Sequence, residues 1–373
     1  MSLERQILVW GAALAAIGYL LYLLGGAVTP FAAGMALGYL LDPVVRRMER
    51  IGLSRLAASL IILAAFVVVA AAALLFAAPA LGAQLASFVQ KLPSYVTRLQ
   101  ALAVDEGNAL IDRYGGEWRA SGASISADQI QKSVGDFVGQ GAQWLLNFVR
   151  SLASGGAAIF SFLSFLIITP VVAFYILVDW NKMVSTIDSW LPLDHRDMLR
   201  SIAAEINAAL AGFIRGQSLV CLFLGLWYGI GLTLIGLDFG FLIGVIAGVL
   251  SFIPYVGSLT ALVLSLGVGL VQGWPSLTLF FSALGVVLVG QFLEGNVVSP
   301  KLVGGSIGLH PVWLMFALFA FGELFGFTGL LIAVPTAAAI GVIARHLIGL
   351  YLNSPLYRGD AAATLDPNAQ SLS

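Results

Sequence analysis

The chain has 373 residues, 60% of them hydrophobic and only 10% charged, and its net charge is -1. A soluble domain is about 45–50% apolar and about 25% charged, so a water-soluble fold of this size is excluded, as is a nucleic-acid binder working through a basic stripe. Its single cysteine, Cys221, rules out an intrachain disulfide.

Residues 7–24 are apolar for about as long as one membrane crossing needs, roughly 17–25 residues, and for longer than a signal-peptide core. They read as a first, retained span. Residues 27–41 form a shorter second run, interrupted by Pro30 and closed by Asp42-Pro43, with Arg46 and Arg47 placed to snorkel. Residues 56–81 are a third span, 157–178 a fourth with a kink expected at Pro170, and 217–236 a fifth. Between the third and fourth lies a long polar stretch, 82–155, where Ile130, Val134, Phe137, Val138 and Leu145 follow one helical face. With breaks expected at Gly115-Gly116 and over 121–126, it predicts a small amphipathic helical domain outside the membrane. Residues 181–215, which contain Pro192, read as interfacial helices.

Lysine and arginine set the orientation, because cytoplasmic loops carry their excess. Arg46, Arg47, Arg50 and Arg55 follow the second span, Lys182, Arg196, Arg200 and Arg215 the fourth, and Arg345 and Arg358 lie in the tail. Both termini, 42–55, 181–215 and 294–310 are therefore expected in the cytoplasm and 82–155 outside.

Two later apolar stretches are broken. Residues 239–271 are interrupted at Pro254 and Gly257, and residues 310–344 near Gly322, Glu323, Gly326 and Gly329, with a full span at 276–293 between them. Halves of about 15 residues would rise roughly 22 Å as helix, short of a hydrocarbon core about 30 Å thick. Each stretch is then a re-entrant hairpin or one kinked, tilted span. The two readings differ in which side Lys301 occupies. As hairpins, 217–271 and 276–345 become an inverted pair of units, the arrangement that points to a transporter binding site.

Three polar side chains stand out against this background. Glu323 sits in mid-stretch, where a carboxylate costs several kcal/mol unless it is paired, protonated or faces a polar cavity. Functionally it is a proton or cation site; structurally it is a hairpin tip surfacing at the interface. Gln291 and Glu294, three apart on one helical face, either line a cytoplasmic mouth or, with Asn296, cap a helix entering water. Gly240, Gly244 and Gly248 form a small-residue face suited to close helix packing, a spacing repeated by Gly322 and Gly326. No catalytic or metal-ligating constellation is recognisable. The four lysines are preceded by Gln90, Gln131, Asn181 and Pro300, never by the glycine of a phosphate-binding loop. The histidines at 195, 310 and 346 lack zinc spacing. No enzyme activity, cofactor or metal is expected.

One combination of short motifs, in order, resembles a known family. It comprises Ser251-Phe252-Ile253-Pro254-Tyr255-Val256-Gly257, Glu294-Gly295-Asn296-Val297-Val298-Ser299-Pro300-Lys301, Gly308-Leu309-His310-Pro311, and Gly322 through Gly329-Leu330 to Pro335, after an N-terminal Asp42-Pro43-Val44-Val45. With these motifs the chain resembles the autoinducer-2 exporter-like (AI-2E) family of bacterial permeases over nearly its whole length, least in 82–155. The resemblance implies a multi-pass inner-membrane transporter of about eight segments. It links the chain to export of autoinducer-2 or to sodium–proton antiport. It also implies homo-oligomers, a pentamer being the candidate assembly.

The expected fold is an all-α polytopic membrane protein with about eight membrane segments, two of them broken hairpins in an inverted repeat, plus a small helical extracytoplasmic domain. Residues 1–81 form scaffold spans, 82–155 the outer domain, 156–216 the fourth span and interfacial helices, 217–350 the transport core, and 351–373 a flexible cytoplasmic tail. The expected function is secondary-active export of a small polar solute coupled to H+ or Na+. Sodium/proton antiport, a passive oligomeric channel and a non-transporting scaffold are the alternatives. Glu323, Gln291 and Glu294 are the coupling candidates, and Pro254, Gly257, Gly322 and Gly326 the hairpin tips. Lipid and solute are the expected partners, with no nucleic acid.

Overall fold

The computed structural model describes residues 25–120, 156–302, 308–354 and 357. The expected first span at 7–24 and most of the tail lie outside these residues, as does 121–155 of the expected outer domain. The described chain is α-helical, with no strand among the described residues. Six of its helices are long and apolar enough to cross a membrane. Chain contacts divide it into two compact units, the first formed by residues 1–62, 168–216 and 302–373, the second by 63–167 and 217–301. The second of the two expected repeats, 276–345, is thus divided between them.

In the first unit, α1 (Gly25–Arg50) runs straight through Pro30 and Pro43, past the Asp42-Pro43 stop expected from sequence. Proline at 43 has no N–H for the Tyr39 carbonyl four residues back. Arg215 supplies the missing donor, its Nε lying 3.1 Å from that oxygen, and the helix continues. Gly34 lets α1 lie against Val172 of α3 (Gly156–Ser189), and Thr169 Oγ1 donates to the Pro30 carbonyl. Helix α3 ends at a turn around Pro192. Beyond its apolar run, Asp188 accepts from Arg200 at 2.7 Å and from Arg196 at 2.6 Å. Those two guanidiniums hold its carboxyl well below the usual carboxylate range, so the clamp on this turn is ionised at neutral pH. After the turn, α4 (Arg196–Leu234) is one helix of 39 residues; the expected interfacial stretch and fifth span are continuous.

In the second unit, α2 (Arg55–Ala120), 66 residues long, carries the third span directly into the polar stretch without a break at Gly115-Gly116. Two glycines cost only about 2 kcal/mol of helix propensity, which a long helix absorbs. Much of the apolar face of α2 is bare: Phe76 is 82% and Leu75 74% exposed. In water such a surface would be prohibitive; in lipid it is the surface a span must present. The turn between α4 and α5 (Gly240–Leu250) is pinned to α2. Lys91 Nζ and the Tyr95 hydroxyl each lie 3.1 Å from Asp238 Oδ2. Gln84 Oε1 accepts from the Leu242 N–H at 2.9 Å, satisfying one of the donors a helix start leaves open.

Helices α4 and α5 cross backbone to backbone. Gly244 abuts Gly229 and Gly248 abuts Gly225 so closely that a Cβ would overlap main-chain atoms. The expected small-residue face is therefore a packing seam. Helix α6 (Val256–Gly273) packs on α5 and on α7 (Thr278–Leu293). A π-helical turn at Glu294–Val298 follows, then α8 (Ser299–Leu302). Back in the first unit, α9 (Pro311–Leu352) packs on α1 and is interrupted at Gly326.

Candidate functional site

Both breaks read from the sequence are reversals of the chain. At the first, α5 ends at Leu250 and α6 begins at Val256, with Tyr255 in the left-handed region at φ 69°. Gly257 lies against the Ala247 carbonyl and Ser251; in an unbroken helix, residues ten apart would be about 15 Å apart. Pro254 and Gly257 thus occupy one tight turn. Its halves are unequal: α5 has 11 residues and α6 has 18, against the equal halves expected. The shorter would rise about 17 Å and the longer about 27 Å. The Ser251 carbonyl, freed where α5 stops, accepts from the Gln217 amide, and the Ser251 hydroxyl returns to the Ala247 carbonyl at 2.7 Å. Gln217 and Ser251 are both buried.

At the second break, Gly326 has φ 59° and ψ -139°, outside any helix. Gly329 is driven against the Phe321 carbonyl, and a Cβ on Gly322 would come within 2.9 Å of Leu330. Residues eight apart touch, so the chain doubles back here as well. Gly322 and Gly326 flank this turn, with Glu323 between them. Its side chain is exposed and has no hydrogen bond or ion pair among the described residues.

Gln291 and Glu294 come together in the second unit. Gln291 Nε2 lies 3.1 Å from the Tyr228 hydroxyl and 3.3 Å from Glu294 Oε2, both N–H groups of one amide finding acceptors. Tyr228 is fully buried. It reaches α7 because residue 290 is glycine: a Cβ there would stand 2.6 Å from the Tyr228 ring and 2.9 Å from Trp227. Trp227 fixes the same crossing through Nε1, 3.0 Å from the Val286 carbonyl. Glu294 opens the π-turn, a helix irregularity that recurs at functional sites. It is half-buried, with no cationic partner among the described residues. Asn296 bonds back to the Phe292 carbonyl of its own helix and stands apart from the cluster.

Of the sequence-selected residues, Gln291 and Glu294 therefore share one cluster, Pro254 and Gly257 one turn, and Gly322, Glu323 and Gly326 another. Tyr228, Trp227, Gly290 and Gln217 were missed. They lie 34 to 63 residues from their partners, and no local pattern announces them. Chemically, the cluster is a carboxylate–amide–phenol chain able to hold a proton or a small cation at its open end.

Six helices long and apolar enough to cross a membrane, with two apolar helices that double back, define a polytopic helical membrane protein. Residues 12–349 match the model of the AI-2E family of transporters, and the chain belongs to that family. It is 27% identical to YrrI of Bacillus subtilis (strain 168), named as a transport protein, over 86% of each chain. It is 26% identical to PerM of Escherichia coli (strain K12), named as a permease, over 87% of this chain and 88% of that one. Similarity of 25% extends to MT0215 of Mycobacterium tuberculosis, over 92% of this chain and 89% of the relative. It is a multi-pass membrane transporter, and its partners are the lipid bilayer and a transported solute.

Proposed function

We propose that this protein is a secondary-active transporter of the bacterial inner membrane that exports a small polar solute of the autoinducer-2 class, coupled to H+ or Na+. The two reversals act as re-entrant hairpins of an inverted pair, 217–271 and 276–345, with both termini in the cytoplasm. The observation that carries this reading is Glu323, a carboxylate without a hydrogen bond or ion pair among the described residues, on the turn of a doubled-back apolar helix. Facing lipid it would cost several kcal/mol. A polar path or a partner copy removes that penalty, and reversible protonation then alternates a charged and a neutral tip. Gln291 and Glu294, with the Tyr228 hydroxyl, form a second polar station at the π-turn. Freed backbone groups at interrupted helices commonly bind ions and substrates.

The test uses the full chain in proteoliposomes with an internal pH-sensitive dye. Addition of autoinducer-2 or Na+ to the wild type is expected to drive proton flux, and Glu323→Gln to reduce that flux at least about tenfold, the effect of removing one charged interaction of about 1.4 kcal/mol. Proton flux with Na+ alone would assign antiport without solute export. Unchanged pH dependence in Glu323→Gln removes Glu323 from coupling. Single-channel conductance without coupling would make the protein a passive pore. No flux of any kind, with partners captured through 82–155, would make it a scaffold.

A further inference from the structure

We propose that a cleft of the first unit is an anion site that takes the phosphate of an acidic phospholipid headgroup. The cleft, about 430 Å³, opens between α1, α3 and α4, and its lining includes Tyr39, Asp42, Arg46, Trp180, Asn207 and Arg215. Its polar groups are built in rather than scattered. The Tyr39 hydroxyl donates to Asn207 Oδ1 at 3.0 Å, and its ring meets Trp180 edge-on at 5.6 Å. Arg215 is anchored by Nε to the Tyr39 carbonyl that Pro43 leaves open.

The charges do not cancel. Asp42 is committed to Arg46 Nε at 2.7 Å and to Arg55 Nη2 at 3.4 Å. Arg215, half-buried, takes part in no ion pair among the described residues. Its anchored Nε leaves both terminal nitrogens for a ligand, and Arg46 is 55% exposed beside it. Two guanidiniums against one engaged carboxylate leave a net positive cleft. A guanidinium fork fits phosphate oxygens bidentately. The remaining wall is apolar, with Trp180, Ile176 and Leu177, which suits the boundary between headgroup and acyl chain. Basic pockets between membrane helices bind anionic headgroups by this combination.

The chemistry shared by the candidate ligands is a phosphate ester, and the experiment separates a lipid from a free solute. Full-length protein in neutral detergent is titrated with phosphatidylglycerol, phosphatidylcholine or glycerol phosphate, while thermal unfolding and bound mass by native mass spectrometry are recorded. Phosphatidylglycerol is expected to raise Tm and to remain bound, phosphatidylcholine to do neither, and Arg215→Gln to weaken phosphatidylglycerol at least about tenfold. Arg46→Gln, on an exposed side chain, is expected to weaken it less and decides the matter if Arg215→Gln does not fold. Stabilisation by glycerol phosphate as strong as by the lipid would keep the anion site and assign it to a soluble phosphate ester. Equal responses to the anionic and zwitterionic lipids, or an unchanged affinity in the folded arginine variants, would overturn the proposal.

Discussion

At the first reversal a helix gives up a carbonyl in the interior, and a buried glutamine from a neighbouring helix takes it. At the second, one exposed glycine turns the chain, and the carboxylate three residues before it has no partner among the described residues. The backbone outcome is the same; the means are opposite. Gln217 braces the first turn by satisfying the Ser251 carbonyl, as broken helices in an apolar setting require of their freed groups. The second turn depends on the permissiveness of Gly326 and leaves a carboxyl group near its tip. The first reversal is braced from a neighbouring helix; the second carries a carboxylate with no partner among the described residues.

Substitutions should break this contrast in a definite order. The largest effect is expected where the first reversal is approached, at the seam of α4 and α5. Gly244→Leu would drive a side chain into the backbone at Gly229 and cost about 3 kcal/mol or more, the upper range of overpacking. It should appear as loss of monodisperse protein and a fall in Tm. Gly267→Leu, which enters open space, should stay within about 0.5 kcal/mol. Next comes Gln217→Leu, which leaves the Ser251 carbonyl buried and unpaired, for about 1–3 kcal/mol by thermal unfolding in detergent. Last of the three comes Gly326→Ala, where nothing is crowded and only a backbone geometry nearly exclusive to glycine, φ 59° with ψ -139°, is penalised, from about 1 kcal/mol upward. A cost at Gly326 equal to that at Gln217 would show that the second turn is as tightly built as the first.

The sequence located both reversals because proline and glycine interrupt apolar runs of otherwise uniform character. It placed the first break near Pro254, three residues past the carbonyl where α5 actually ends, and so made the halves equal. Tyr255, exposed and in a left-handed conformation that its side chain disfavours, leaves no trace in composition. Gln291 and Glu294 were legible as neighbours because three-residue spacing puts them on one helical face. Tyr228 was not, since its approach depends on the absence of a side chain at Gly290. The same reasoning accounts for Asp42-Pro43. Read locally it ends a helix; the donor that lets α1 continue comes from Arg215, 176 residues away.

Seams made of glycine have a bearing on how mutational scans of this protein should be interpreted. Alanine, the usual neutral probe, is the intrusive residue at Gly244, Gly248, Gly257 and Gly329, because each faces main-chain atoms where a single methyl group does not fit. A scan scored by transport would rank these positions beside ligand-binding residues on packing grounds alone. Only a parallel measure of folded protein separates the two, and positions that lose transport while keeping abundance are the ones that mark the solute's path.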